Sequence, residues 1–86
     1  MAYVYKTKGT CSSQITFELD GDIVKNVSFL GGCNGNLQGI SKLTEGMNAE
    51  EVIKRCEGIK CGFKNTSCPD QLALALKAAM EQKGNN

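Results

Sequence analysis

Residues 14–30, Gln-Ile-Thr-Phe-Glu-Leu-Asp-Gly-Asp-Ile-Val-Lys-Asn-Val-Ser-Phe-Leu, decide the fold of this chain. Hydrophobic and polar residues alternate on both sides of Asp20-Gly21, which is typical of strands with one buried face. Asp-Gly is a strong signal for a two-residue hairpin turn because glycine accepts a positive φ. We therefore predict two antiparallel strands, 14–19 and 22–30. The side chains expected on their buried faces are Ile15, Phe17, Leu19, Ile23, Val27 and Phe29.

The segments on either side of the hairpin extend this pattern. Residues 3–7 alternate in the same way and predict a further strand before the hairpin. After the hairpin, hydrophobic residues recur at helical spacing as far as Gly46, which marks the end of a first helix. The hydrophobic residues of that predicted helix are Leu37, Ile40 and Leu43.

Two more helices are predicted in the C-terminal half. Asn48 is a suitable N-cap, and Glu51 three residues later completes a capping-box pattern. Pro69 suits the first turn of the last helix, where its missing N–H costs nothing. The expected apolar faces are Val52, Ile53 and Cys56 in one helix, and Leu72, Ala75, Leu76, Ala79 and Met80 in the other. The order predicts an α+β fold, a three-stranded antiparallel sheet followed by three helices packed on one face, with residues 1–86 as one domain.

Composition excludes several classes of function. The chain has no histidine, which rules out imidazole ligands and histidine general bases. Its formal net charge is +1 and Arg55 is its only arginine, which disfavours a broad electrostatic face for nucleic acid. We find neither a signal-peptide core nor a membrane span, and we predict a cytoplasmic protein with reduced thiols. The odd number of cysteines, five, fits a disulfide framework poorly and favours a metal or redox role.

Four of the cysteines, Cys11, Cys33, Cys61 and Cys68, lie in predicted connectors and on no predicted helix or strand face. Thiolates from several loops can converge on one point and form a closed tetrahedral zinc site or hold an iron–sulfur cluster. The spacing of six residues between Cys61 and Cys68 is wider than in common zinc knuckles, so the prediction depends on all four positions together.

The cysteines differ in their immediate surroundings. Glycines flank Cys33 at a predicted helix start, and Cys68 comes just before Pro69 at another; a helix start stabilises a thiolate. At each position a packing or capping role is the alternative. Cys56 lies on an apolar helix face and is interpreted as core, the alternative being a redox pair with Cys61. A phosphate, nucleotide or flavin at the glycine loop near Cys33 has weak support, because no P-loop lysine or dinucleotide fingerprint is present.

Four short segments give the chain a resemblance to a known family. They are Gly9-Thr10-Cys11, Gly32-Cys33, Gly58-Ile59-Lys60-Cys61-Gly62 and, most specific, Thr66-Ser67-Cys68-Pro69-Asp70, spread between Gly9 and Ala79. The chain resembles the small TSCPD-domain proteins, a family similar to the C-terminal segment of adenosylcobalamin-dependent (class II) ribonucleotide reductases. The resemblance implies a metal site at Cys11, Cys33, Cys61 and Cys68. It implies no complete reductase, since the chain is too short for the catalytic barrel.

A fainter similarity is to iron–sulfur scaffold proteins of the IscU/NifU type. In those proteins a hairpin leads to a glycine-flanked cysteine, and a later cysteine begins the last helix. Cys33 and Cys68 would correspond to these two positions, but Ser67 stands where the scaffolds have a histidine.

Two functions follow as expectations. The first is a small zinc-binding module, not an enzyme by itself, that serves as an accessory or docking domain related to ribonucleotide reductase and deoxynucleotide synthesis, with a protein partner in nucleotide or sulfur metabolism. The second is a thiol redox, sulfur-transfer or iron–sulfur scaffold-like protein that uses Cys33 and Cys68.

Overall fold

The computed structural model describes residues 2–10, 12–32 and 34–84 of the chain. Three strands are followed by three helices, which confirms the predicted α+β order. The elements are β1 (Ala2–Lys6), β2 (Ser12–Asp20), β3 (Ile23–Gly31), α1 (Asn34–Thr44), α2 (Ala49–Cys56) and α3 (Cys68–Gly84). Among these helices none is both long enough and apolar enough to cross a membrane.

The sheet is antiparallel with β2 in the centre, in the order β1-β2-β3. Tyr3 pairs with Phe17 across β1 and β2, and their rings stack with centroids 5.4 Å apart. The predicted hairpin is present, but Asp20 pairs with Ile23, so its turn residues are Gly21 and Asp22, one position later than the Asp20-Gly21 signal indicated. The buried face of β2 and the apolar face of α3 form most of the core. Its fully buried large side chains are Phe17, Ile15, Leu72, Leu76, Val24 and Val52.

The face of β3 differs from its prediction. Val24 is completely buried, whereas Ile23 is only partly buried. The register shifts between Thr16 and Glu18, where β3 carries one residue more than β2 and Asn26 takes a φ of 55°. Such a bulge changes the alternation, so that Val24 and Val27, three residues apart, both point inward. Strict alternation therefore gave the wrong inward residue before the bulge.

Two details of the helices also differ from the sequence interpretation. Asn48 caps α2 by accepting a hydrogen bond from the Glu50 N–H at 2.9 Å, as predicted. Glu51 does not complete a capping box; its carboxylate instead pairs with Arg55 one turn later, at 3.0 Å. In α1, Leu37 and Thr44 are buried because, seven residues or two helical turns apart, they lie on the same face, the one that faces the sheet. Leu43 lies off that face and is exposed.

Candidate metal centre

Cys68 is the first residue of α3, at a well-capped helix start. The Ser67 hydroxyl accepts a hydrogen bond from the Asp70 N–H at 3.1 Å, and the Ser67 carbonyl accepts from the Gln71 N–H at 2.8 Å. Ser67 is therefore the N-cap, and Pro69 stands in the first turn as predicted. This cap fixes the direction in which the helix starts and, with it, the backbone that carries Cys68.

Cys61 lies in the loop between α2 and α3, and its side chain is exposed. Its N–H donates to the Thr66 carbonyl at 3.2 Å, and its carbonyl accepts from the Lys64 N–H at 2.9 Å. These bonds fold the loop back toward the start of α3. As a result Cys61 and Cys68 both line one cavity of about 530 Å³ between α1 and the start of α3, which we call the thiol groove.

The thiol groove is mainly apolar apart from its two cysteines. Its other walls include Leu37, Ile40 and Leu43 from α1 and Pro69 from α3. The exposed Leu43, which lies off the core-facing stripe of α1, thus has a place in this wall.

The Thr66-Ser67-Cys68-Pro69-Asp70 segment forms a network of side-chain hydrogen bonds. Both oxygens of the buried Asp70 carboxylate accept, one from the Gly58 N–H at 2.7 Å and the other from the Thr66 hydroxyl. The Gln71 amide group donates to the Thr66 hydroxyl oxygen at 3.0 Å, and its carbonyl oxygen accepts from the Lys8 N–H at 3.1 Å. The start of α3 is therefore bonded both to the segment that follows α2 and to the segment before β2.

The residue after Cys11 reaches the same place. The Ser12 hydroxyl oxygen lies 3.2 Å from the Cys68 sulfur, and Ser12 is buried. Thr10, on the other side of Cys11, donates its hydroxyl to the Ser12 carbonyl at 3.0 Å. Both chain neighbours of Cys11 are thus held close to the first residue of α3.

The residue before Cys33 packs against this cluster. Gly32 has a φ of +83°, and a Cβ added there would lie 2.8 Å from a methyl carbon of Leu37 and 3.1 Å from the Ser12 nitrogen. Only glycine allows so close an approach with this backbone conformation. Two residues after Cys33, Gly35 lines the thiol groove.

Cys11 and Cys33 themselves lie outside the described residues, so the four-thiol site stays a prediction at those two positions. Within the ranges 2–10, 12–32 and 34–84, no three Cys, Asp or Glu side chains form a group that could hold a metal ion. Of the described thiols, which are donors that fit a soft metal, Cys61 and Cys68 line the same groove. Asp70 is the nearby carboxylate, and both of its oxygens are already used in hydrogen bonds.

Cys56 stands apart from this groove. It is the last residue of α2, is partly buried, and packs against the hydrophobic core, as the core interpretation predicted. Burial raises the pKa of its thiol because the thiolate would lose solvation. The neutral thiol is therefore favoured over a wider pH range, which suits a packing role.

Sequence reasoning found the thiols but not the side chains that arrange them. The alternative interpretation of the Cys68 segment was that Thr66, Ser67 and Asp70 only cap the helix. In the structure Ser67 is the cap, whereas Thr66 and Asp70 bond to each other. The contacts of Gln71 with Lys8 and of Ser12 with Cys68 join residues 63 and 56 positions apart. Periodicity carries no signal for pairs so distant; only the unusual Thr-Ser-Cys-Pro-Asp pentapeptide marked part of this network.

The fold and site together define a small α+β domain with thiols where its loops meet a helix start. The chain belongs to the TSCPD-domain family: the family model, described as TSCPD domain, matches residues 3–80. This domain is found in ribonucleotide reductases. A search of the curated proteins finds no significant relative, and a search of the solved structures finds no significant match. The similarity to iron–sulfur scaffold proteins stays a prediction.

Proposed function

We propose that this domain is a metal-binding module in which Cys11, Cys33, Cys61 and Cys68 bind one zinc ion. The observation that carries the proposal is the shared position of Cys61 and Cys68 on the thiol groove. Ser12 and Gly32, which adjoin the other two cysteines in sequence, are neighbours of each other and of this site. Four loop thiols near one point are the donor set that zinc prefers in structural sites.

A site of four thiolates has a defined chemical role. It leaves zinc no open position for water or substrate, so we expect it to stabilise the fold and not to catalyse hydrolysis. Binding of structural zinc contributes about 10 kcal/mol or more in small domains. A chain of 86 residues is expected to have only about 4–13 kcal/mol of stability. The ion would therefore contribute a large part of the stability of the folded domain.

The family suggests the setting in which such a module works. Because the TSCPD domain is found in ribonucleotide reductases, we propose an accessory or docking role beside an enzyme of deoxynucleotide synthesis, with that enzyme as a protein partner. Under this proposal the chain is no enzyme by itself, and the cytoplasm, where thiols remain reduced, is its expected location.

A thiol redox or sulfur-transfer role is the second candidate, with Cys33 and Cys68 as the reactive pair. The observation that favours it is the position of Cys68, which is partly exposed at the first residue of a 17-residue helix. The Ser12 hydroxyl at 3.2 Å is also well placed to donate to a thiolate there. Under this proposal metal-free protein carries two fast-reacting thiols.

Elemental analysis combined with an absorption spectrum tests the two candidates. Protein purified anaerobically is expected to contain about one zinc per chain and to show no visible absorption, whereas an iron–sulfur cluster would be coloured. Removing the ion with a chelator is expected to lower the melting temperature and to speed thiol labelling, because the ligands are released. The full chain without metal, with a melting curve that chelator leaves unchanged, contradicts the zinc proposal; two rapidly labelled thiols in that protein favour the redox candidate.

Cysteine substitutions refine this test. Replacing Cys61 or Cys68 by serine is expected to remove bound zinc or weaken it strongly, since each takes away one thiolate ligand. Cys56→Ala is the matched control, because Cys56 packs against the core and is expected to retain a full complement of metal. Equal metal loss in all three variants would argue against a site at Cys61 and Cys68.

A further inference from the structure

The Asp70 carboxylate joins the two ends of the loop that carries Cys61. One of its oxygens accepts from the Gly58 N–H at 2.7 Å and the other accepts from the Thr66 hydroxyl. We call these two hydrogen bonds the Asp70 clamp. Gly58 precedes Cys61 by three residues and Thr66 follows it by five, so the clamp closes the segment around Cys61.

The same carboxylate is fixed relative to Cys68. Asp70 follows Cys68 by two residues in the first turn of α3, and its own N–H is bonded to the Ser67 cap. Asp70 is only 8% exposed, so water competes little for its two oxygens. A displacement of the Cys61 loop away from α3 would have to break hydrogen bonds to a buried carboxylate, which is costly.

Gln71 extends the arrangement to the segment before Cys11. Its side chain bonds both to Thr66 and to the N–H of Lys8, three residues before Cys11. Asp70 and Gln71, consecutive residues in the first turn of α3, thus hold the Cys61 loop and the segment before Cys11 against the helix start that carries Cys68. In the described part of the chain no buried side-chain nitrogen or oxygen lacks a partner, so the network is complete as it stands.

We propose that Asp70 is a positioning residue, which holds the Cys61 loop beside Cys68 in the metal-free protein and so preorganises the thiols. It would act on the ion through the loop, since both of its oxygens accept the hydrogen bonds that hold the loop. The use of this positioning for metal capture rests on the proposed function; the positioning itself does not. Loss of a group that orients metal ligands typically weakens metal binding about 10- to 100-fold.

The experiment uses the full chain and two readouts. In chelator, amide hydrogen exchange is measured at Gly58, Cys61 and Lys64. With cobalt(II) as the metal probe, affinity is measured by competition with a chromophoric chelator, and the ligand-field absorption reports tetrahedral geometry. The variants are Asp70→Ala, which removes the clamp, and Asp70→Asn, which keeps one acceptor oxygen for the Gly58 N–H.

Two further variants serve as controls. Glu81→Ala removes an exposed carboxylate from the same helix, far from the start of α3. Leu76→Val weakens the core without touching the loops, so it shows what general destabilisation alone does to both readouts. All measurements are made where circular dichroism shows each variant to be folded.

We expect exchange at Cys61 and Lys64 to become at least tenfold faster in Asp70→Ala, with Asp70→Asn between it and the wild type. We expect cobalt affinity to fall about 10- to 100-fold, with a weaker tetrahedral spectrum, while both controls retain wild-type values. Unchanged exchange at Cys61 in Asp70→Ala, or equal effects in Leu76→Val, overturns the inference. If the wild type binds neither cobalt nor zinc, the proposed function fails, and the exchange data alone then decide whether Asp70 positions the loop.

Discussion

The hydroxyl oxygen of Ser12 lies 3.2 Å from the sulfur of Cys68, although the two residues are 56 positions apart in the chain. Ser12 begins the central strand and Cys68 begins the last helix. The contact therefore brings the starts of the two elements that build most of the core to the same end of the molecule. Cys61, in the loop before the last helix, lines one groove with Cys68.

Gly32 provides a test of how closely the backbone packs at this end. Gly32→Ala is expected to cost at least about 1–2 kcal/mol, because alanine disfavours positive φ and its Cβ would crowd the Ser12 backbone nitrogen as well as the Leu37 side chain. Gly39→Ala is the matched control: it lies within α1 with open space around it, and is expected to stabilise by about 0.5–1 kcal/mol. Urea denaturation of both variants measures the difference. A Gly32→Ala protein as stable as the wild type would contradict the described packing.

Ser67 tests the cap of the last helix. Ser67→Ala removes the oxygen that accepts from the Asp70 N–H and is expected to destabilise the fold by about 1 kcal/mol. In Ser41→Ala, the hydroxyl that is lost bonds back to the Leu37 carbonyl within α1, and little or no loss is expected there. Free energies of unfolding from chemical denaturation compare the two. The cap assignment would be wrong if the two serine variants were equally stable.

Leu76 and Leu43 are the same type of residue in opposite surroundings, one buried and one exposed. Leu76 is completely buried, and Leu76→Ala is expected to lose about 2–5 kcal/mol, enough to unfold a large part of a population of so small a domain. Leu43 is 77% exposed, and Leu43→Ala is expected to change stability by no more than about 0.5 kcal/mol. Thermal and denaturant unfolding distinguish them. A large loss in Leu43→Ala would instead show that something covers the thiol groove.

Cys56 gives a prediction about pH. Burial raises the pKa of its thiol, and the thiolate is the nucleophile in alkylation. With chelator present, the alkylation rate of Cys56 is therefore expected to rise at higher pH than that of a cysteine in a short unstructured peptide. Mass spectrometry of the labelled protein follows Cys56 separately from the other thiols. A rate profile at or below that of the peptide would contradict the buried position.

The raised pKa of the Cys56 thiol also makes the stability of the fold depend on pH. In the unfolded chain its thiol has an ordinary pKa and loses its proton first as the pH rises, which favours unfolding. The contribution of Cys56 is thus fully present below the ordinary thiol pKa and is lost as the pH rises through the raised value. Cys56→Ala removes this dependence, so the stability difference between wild type and variant is expected to shift against the wild type in alkali.

The hairpin and the helix order could be predicted because they depend on local signals. The alternation before the hairpin turn determines which face of β2 is buried, and Ile15, Phe17 and Leu19 are all buried as predicted. The bulge at Asn26 could not be predicted in this way. Asn26 holds its positive φ with bonds to the side chains of Glu45 and Glu18, and the first of these contacts comes from the end of the first helix.

The candidate site was predictable in part for the same reason. Cysteines in loops are visible in the sequence, and Cys61 and Cys68 do share a groove. Which side chains hold those loops together was not visible, because the partners of Asp70 and Gln71 are chosen by three-dimensional contact. The Gly58 N–H, a backbone group 12 positions away, leaves no trace in residue type.

The long separation between Lys8 and Gln71, 63 positions, also affects the order in which the molecule assembles. Closing so large a loop costs entropy, which is offset only when the last helix packs against the sheet. The hairpin forms from residues close together in sequence and has a much smaller entropy cost. We expect the strands to pair early and the end that gathers the sulfurs to close last. During synthesis on the ribosome the thiols would then stay open to solvent until the last helix has emerged, and an ion would be captured only once that helix has docked.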